Sequence, residues 1–113
     1  MPMPSDELHV AILRRLADGP QASQRELARE TGVSLGKLNY ALRALIDKGW
    51  VKAGNFSRSS NKLGYAYLLT PGGIEAKARL TRHFLARKMR EYDRLRAEIE
   101  SLQREVDDAP GDG

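Results

Sequence analysis

Two stretches of the chain concentrate positive charge, and their residue types and spacing are the ones that could do chemistry. Residues 34–62 hold six basic residues and one acid, Asp47, and residues 77–90 hold six basic residues and no acid. From Glu91 onward the balance reverses, with eight acids and three bases. The net charge of +4 is mild, so the placement of the cations says more than their excess. Clustered Lys and Arg side chains pair with phosphates and read base edges, so this pattern indicates a nucleic-acid partner.

Catalytic chemistry has no comparable support in the sequence. The chain contains no cysteine, which excludes disulfides, thiol catalysis and thiolate zinc sites. His9 and His83 are far apart, and both are interpreted as helix-face residues rather than metal ligands. No phosphate-binding loop, nucleophile elbow or zinc-protease motif occurs. We therefore expect a protein that is not an enzyme and that has no catalytic residue, no metal site and no cofactor.

Apolar runs such as residues 11–13 are too short to span a bilayer, and the N-terminus does not resemble a signal peptide. The absence of cysteine is compatible with a reducing compartment. These features favour a cytoplasmic protein with no membrane partner.

The elements that must position the cations begin with three short helices. Ser5 can cap the first, and Asp18-Gly19-Pro20 ends it. Residues 23–26 read Ser-Gln-Arg-Glu, a capping box that starts the second. Gly32 suits the turn after it, and Ser34 can cap a third helix that Gly49 closes. Two short helices joined by a Gly-containing turn predict a helix-turn-helix.

Two short extended segments follow, residues 50–56 and residues 64–69, separated by a polar loop. They predict a β-hairpin, or wing, with Arg58 and Lys62 near its tip. The fold class is therefore mainly α with a small β-hairpin, a winged helix-turn-helix followed by one long C-terminal dimerisation helix. The domain prediction is a DNA-binding domain over 5–70, a dimerisation helix over 71–106 and a disordered acidic tail over 107–113.

The predicted DNA contacts lie on the third helix, opposite its leucines, and on the wing. An α-helix fits the major groove, and a wing cation can enter the minor groove or pair with phosphate. Several residues keep a second interpretation: Gly36 as an ordinary first-turn glycine, Tyr40 as a half-buried aromatic, and the cations as solvated surface. The predicted contact residues are Ser34, Gly36, Lys37, Asn39, Tyr40, Arg43, Arg58 and Lys62.

The long C-terminal helix carries an apolar seam on an a/d heptad register, weakened by Lys88. Leu80 and Phe84 lie on an adjoining stripe that could pack on the domain. A helix with such a seam needs a partner. If two copies pair antiparallel, the basic half of one helix lies near the acidic half of the other, so we expect a homodimer that is at least partly antiparallel. The predicted dimerisation residues are Leu85, Tyr92, Leu95, Ile99, Leu102 and Val106.

The sequence resembles the MarR family of winged-helix regulators over roughly residues 5–99. Residues 34–52 resemble its recognition helix and following strand, and Leu69-Thr70-Pro71-Gly72-Gly73 resembles its join between wing and next helix. Residues 61–71 and 80–88 resemble a short subgroup associated with exopolysaccharide gene clusters. The resemblance implies a DNA-binding dimer with contacts at Ser34, Gly36, Lys37, Tyr40 and Arg58. Tyr40 departs from the Arg often found there, and the ligand pocket of longer members does not carry over, so a small-molecule effector stays open.

Two functions follow. The first is a sequence-specific double-stranded DNA-binding regulator that acts as a homodimer, with exopolysaccharide genes as targets implied by the resemblance. The alternative is a protein-interaction module that pairs through its C-terminal helix, since a winged helix alone does not decide function. The operator, and the choice between repressor and activator, are not encoded in any pattern found.

Overall fold

The computed structural model describes residues 5–19, 22–55 and 65–110. Their elements run α1 (Ser5–Asp18), α2 (Gln24–Thr31), α3 (Leu35–Asp47), β1 (Val51–Asn55), β2 (Tyr65–Leu69) and α4 (Pro71–Asp108). This order confirms the predicted fold class, mainly α with a two-stranded hairpin and one long C-terminal helix. The chain divides into two compact units, Met1–Thr81 and Arg82–Gly113. The first three turns of α4 thus belong to the same unit as α1, α2, α3 and the hairpin.

The second helix forms where its capping chemistry dictates. The Glu26 amide donates to the Ser23 hydroxyl over 3.0 Å, and the Ser23 amide donates to the Glu26 carboxylate over 2.8 Å. Gly32 ends the helix with φ of +77°, a backbone conformation that strains residues with a Cβ. Ser34 then caps α3, because its hydroxyl accepts from the Lys37 amide over 3.1 Å. The predicted helix-turn-helix is therefore built from local hydrogen bonds.

The core of the first unit fills the space between the three short helices and the hairpin. Its largest fully buried members come from α1, α2, α3 and β1, and Tyr67 of β2 closes one side. Leu80 of α4 packs against this core, as the adjoining stripe predicted. The largest fully buried side chains are Leu8, Ile12, Leu13, Leu27, Leu38, Leu42, Leu45 and Val51.

The hairpin pairs antiparallel with Val51 opposite Leu69 and Gly54 opposite Ala66. An isolated bridge between Ala22 and Tyr67 adds the connection before α2 to the edge of this sheet. The sequence patterns did not predict this bridge, since a single pair leaves no periodicity to detect. It fixes the hairpin against the helix-turn-helix at a second point.

The C-terminal helix extends further than expected. Asp107 and Asp108 are helical, although the sequence placed them at the start of a disordered tail. Nothing before Pro110 interrupts the helix, and a residue that precedes proline is biased away from the α conformation. The helix therefore ends just before that proline. Residues 111–113 lie outside the described residues.

Across the described residues, no helix is both long and apolar enough to cross a membrane. The same residues contain no group of three His, Asp or Glu side chains placed to hold a metal ion.

Candidate nucleic-acid interface

The third helix presents a polar face because its apolar residues are recruited to the core. Leu38, Ala41, Leu42 and Leu45 are buried, and their spacing defines one side of the helix. Positions 36, 40 and 43 fall on the opposite side at intervals of four and three residues. Leu35 and Ile46 are also apolar and flank that side, but the structure exposes them at 46% and 37%. They lie near the ends of α3 and at the margin of the buried arc, so the core does not reach them.

Five of the eight predicted DNA contacts line this exposed side or its margins. Gly36, Asn39, Tyr40 and Arg43 are exposed, and Lys37 is half-buried at one edge. Tyr40 is 79% exposed. This removes the interpretation of Tyr40 as a half-buried aromatic and leaves a large side chain with a phenolic hydroxyl on the surface.

The N-terminus of α3 has its own chemistry. The Ser34 hydroxyl is used as the cap, so it holds the backbone of the first turn and is also exposed. A helix N-terminus carries partial positive charge and unpaired amides, which favour a phosphate. Gly36 lies in this first turn, and a Cβ built on it meets nothing within 4 Å. The fold of a single chain therefore gives no reason for glycine at this position.

Asp47 also lies on this face of α3, although it is not among the predicted contact residues. It is exposed and follows Arg43 by one helical turn, on the same side. A carboxylate beside a phosphate is repelled, so the cationic part of the face is confined to the first three turns of α3. The four-residue spacing from Arg43 to Asp47 was the sequence signal that could have placed Asp47 on this side of the helix.

Arg58 and Lys62 lie outside the described residues, so their predicted contacts are neither confirmed nor contradicted. The strands that lead to them, β1 and β2, are in register up to Asn55 and Tyr65.

A hydrogen-bonded joint connects the end of α3 to the start of α4. The Thr70 amide donates to the Trp50 carbonyl over 3.0 Å, and the Thr70 hydroxyl donates to the Gly49 carbonyl. The same hydroxyl accepts from the Gly73 amide over 3.0 Å, so it caps α4. A methyl group on Gly73 would overlap the Trp50 carbonyl oxygen and come within 3.2 Å of Leu69. The Leu-Thr-Pro-Gly-Gly sequence is thus explained by close packing of two backbone segments.

Two cations also lie over the Trp50 ring at this joint. The Lys48 ammonium is 5.1 Å from its ring centroid, and the Arg79 guanidinium is 5.8 Å from it. Both distances are within cation–π range. These contacts bring the residue that caps α3 and the third turn of α4 to the same indole ring.

The predicted seam is exposed in the second unit. Leu85, Tyr92, Leu95, Ile99 and Leu102 are between 46% and 62% exposed, and Val106 is 73% exposed. Met89 is 58% exposed and lies beside the seam. It was not predicted, because the a/d register falls on Lys88, the residue before it. Phe84 is half-buried, with Arg87 and Lys88 within 5.6 Å of its ring centroid.

Comparisons with known proteins agree with this architecture. Residues 5–52 match the family of winged helix-turn-helix DNA-binding domains. The transcriptional regulator BldR from Sulfolobus solfataricus has a TM-score of 0.63 and 19% identity, over 91% of this chain and 74% of that one. A MarR transcriptional regulator from Methanosarcina mazei gives 0.63 and 22%, over 88% and 68%. Apo MarR from E. coli gives 0.60 and 24%, over 87% and 75%. A search of curated sequences gives no match.

The fold and its polar helix face define a winged helix-turn-helix domain extended by one long helix. Within that class, the chain has the fold of MarR-family transcriptional regulators, which confirms the expected resemblance at the level of structure.

Proposed function

We propose that the chain is a MarR-type transcription regulator that binds double-stranded DNA sequence-specifically through α3. The observation that carries this is the exposed face of α3, whose glycine, tyrosine and arginine at positions 36, 40 and 43 oppose the buried side of the helix. Such a helix fits the major groove, where side chains near its N-terminus reach base edges. Asp47 limits the contact to the earlier turns. As a regulator of transcription the protein acts in the cytoplasm.

Duplex binding that weakens with salt tests this proposal. The duplex is the promoter region of the chain's own gene, measured by fluorescence anisotropy between 50 and 200 mM salt. The logarithm of the affinity is expected to fall with a slope of about −0.9 per phosphate contact. Arg43→Ala and Lys37→Ala should weaken binding, and a cation that touches only phosphate should reduce the slope by about one unit. Arg94→Ala, an exposed cation of α4, is the matched control. Binding no tighter than that of an unrelated basic protein contradicts the proposal.

The same assay tests the predicted DNA contacts of the wing. Arg58→Ala and Lys62→Ala are expected to weaken binding, because a hairpin cation pairs with phosphate or enters the minor groove. Wild-type affinity and slope in both variants would remove the wing from the interface while leaving the role of α3 intact.

We further propose that the active form is a homodimer paired along the seam of α4. The seam exposes five aliphatic side chains and one tyrosine in a single chain, and such a stripe requires a cover. A parallel, in-register pair would place Lys88 against its own copy within the seam. An antiparallel pair places Lys88 opposite an uncharged seam residue, which favours that orientation. Sedimentation should give a dimer at micromolar concentration.

The second candidate function is a protein-interaction module, favoured by the same exposed seam. It predicts that the purified chain is a monomer and that it forms a stable complex with a different protein. Sedimentation of the chain alone therefore separates the two. Control of exopolysaccharide genes is proposed on the subgroup resemblance, and a neighbouring gene cluster of that kind would support it.

A further inference from the structure

An apolar groove lies in the first unit between the end of α1, the hairpin and the start of α4. Its volume is about 650 Å³, and most of its lining is apolar. Ile74, on its α4 side, is 59% exposed in the single chain. The lining residues are Leu16, Ala17, Lys52, Leu68, Leu69, Ile74, Lys77 and Ala78.

The charges around this groove are mainly positive. Lys52 and Lys77 line the groove itself, and Lys77 also borders a neighbouring cleft lined by Arg14, Arg15 and Asp18. Arg15 is engaged by Glu30 over 2.6 Å, so its charge is already balanced. Two lysines and Arg14 against one aspartate leave a site suited to an occupant that is apolar along one side and acidic at its edges.

Two heptad positions at the start of α4 line this groove. Counting back from Leu85 by four, three and four residues gives Thr81, Ala78 and Ile74, and the last two line the groove. The core side of α4 is made by other positions, Gly73 and Ala76. Packing within the first unit therefore leaves Ile74 and Ala78 exposed, and the seam register does not stop at Leu85.

The last turns of α4 have the complementary character. Ile99, Leu102 and Val106 line a shallow apolar depression. Glu105, Asp107 and Asp108 follow or interleave with them, and all three are exposed. This segment is apolar on one side and acidic at its edges, so it matches the kind of occupant to which the groove is suited.

We propose that the groove receives residues 102–108 of α4 from a second copy of the chain. In an antiparallel pair whose two-fold axis passes near Arg90, Val106 of the second copy meets Ile74, and Leu102 of the second copy meets Ala78. The same register brings Glu105 of the second copy beside Lys77. The two-fold symmetry fills both grooves at once, so each copy contributes an acidic segment and receives one. The inference rests on the proposed homodimer and specifies its register.

Disulfide cross-linking tests the register directly, because the chain has no cysteine of its own. Ala78→Cys and Leu102→Cys are prepared as separate full-length variants and oxidised alone and as a mixture. The antiparallel register predicts a cross-linked dimer in the mixture and little in either variant alone. Cross-linking of each variant with itself, at least as strong as in the mixture, indicates parallel pairing and overturns the inference while leaving a homodimer in place. No cross-link in the mixture, with a dimer by sedimentation, also overturns it.

Reversing the charge of the groove lysines tests whether an acidic segment of the second copy occupies the groove. Lys77→Glu is expected to raise the dimer dissociation constant by about tenfold, since one attraction becomes a repulsion. Lys52→Glu, at an exposed position, repeats the test without disturbing a half-buried side chain. Adding Glu105→Lys to Lys77→Glu should restore most of the affinity. Arg94→Glu, away from the seam and the groove, is the control and should change the constant by less than about twofold.

The outcomes separate the inference from the proposed function. An unchanged dissociation constant in both lysine variants, with circular dichroism showing folded protein, means that the groove is not a dimer contact. A folded chain that is monomeric at every concentration and does not bind duplex DNA instead contradicts the proposed function itself.

Discussion

Replacing Gly36 with alanine separates the stability of the protein from its affinity for DNA. The added Cβ meets nothing within 4 Å, and the residue lies inside α3 with no positive φ. Glycine costs a helix interior about 0.5–1 kcal/mol relative to alanine. Gly36→Ala should therefore stabilise the isolated protein by about 0.5–1 kcal/mol, which for a domain of this size raises Tm by about 2–8 °C.

The effect on DNA binding should have the opposite sign. If glycine is present so that the first turn of α3 approaches a phosphate or base closely, a methyl group holds the backbone away. We expect a loss of about tenfold in affinity, or about 1.4 kcal/mol, from displaced hydrogen bonds to the DNA. Gly36→Ser should weaken binding at least as much, because its side chain is larger.

Thermal unfolding and fluorescence anisotropy on the same preparation measure both quantities. Gly32→Ala is the matched control: at φ of +77° alanine is strained, so it should destabilise the protein by about 1–2 kcal/mol. A Gly36→Ala protein that is more stable and binds DNA as tightly as the parent refutes the close approach. That result would leave Gly36 as an ordinary first-turn residue.

Three further predictions concern the domain that holds α3. Gly73→Ala forces a methyl group into the Trp50 carbonyl and should cost about 1–3 kcal/mol or more, seen as a lower urea midpoint; an unchanged midpoint would show that α4 shifts freely. Ser23→Ala removes the hydroxyl that accepts from the Glu26 amide but keeps the amide that donates to the Glu26 carboxylate, and it should cost about 1 kcal/mol, whereas Ser23→Asp should retain most of the stability. Burial, helped by the nearby Lys48 and opposed by Asp6, lowers the pKa of His9 below 6.5. The unfolded chain then binds the proton more tightly, so stability is complete above about pH 6.5 and falls as the pH drops below it. His9→Gln should flatten urea midpoints between pH 7.5 and 5.5, and an equally steep profile would place the dependence elsewhere.

The capping box illustrates what could be predicted from the sequence. Its two partners, Ser23 and Glu26, are three residues apart, so the hydrogen bonds follow from local geometry alone. Gly32 and Ser34 were predictable for the same reason. The heptad seam likewise depends only on spacing along one helix, and its exposure in the single chain follows from the absence of a cover.

Features that depend on distant segments escaped prediction. The reason for Gly73 lies in the Trp50 carbonyl, which only the folded chain brings to it. The bridge between Ala22 and Tyr67 has the same character. The exposure of Leu35 and Ile46 could not be predicted, because periodicity marks an apolar side but does not say how far the core extends along it. The groove beside Lys52 and Lys77 is formed by three separate elements, so no single stretch of sequence reveals it.

The joint around Thr70 has a mechanical consequence. Its hydroxyl contacts the backbone of Gly49 and of Gly73, and its amide contacts the carbonyl of Trp50. With Gly73 in close contact with Trp50, the first turn of α4 has almost no freedom to rotate or slide relative to the residues that end α3. Any reorientation of that turn must carry α3 with it. In the proposed homodimer, the angle at which α4 leaves this joint therefore contributes to the spacing between the two α3 helices, and hence to the length of DNA that the proposed pair spans.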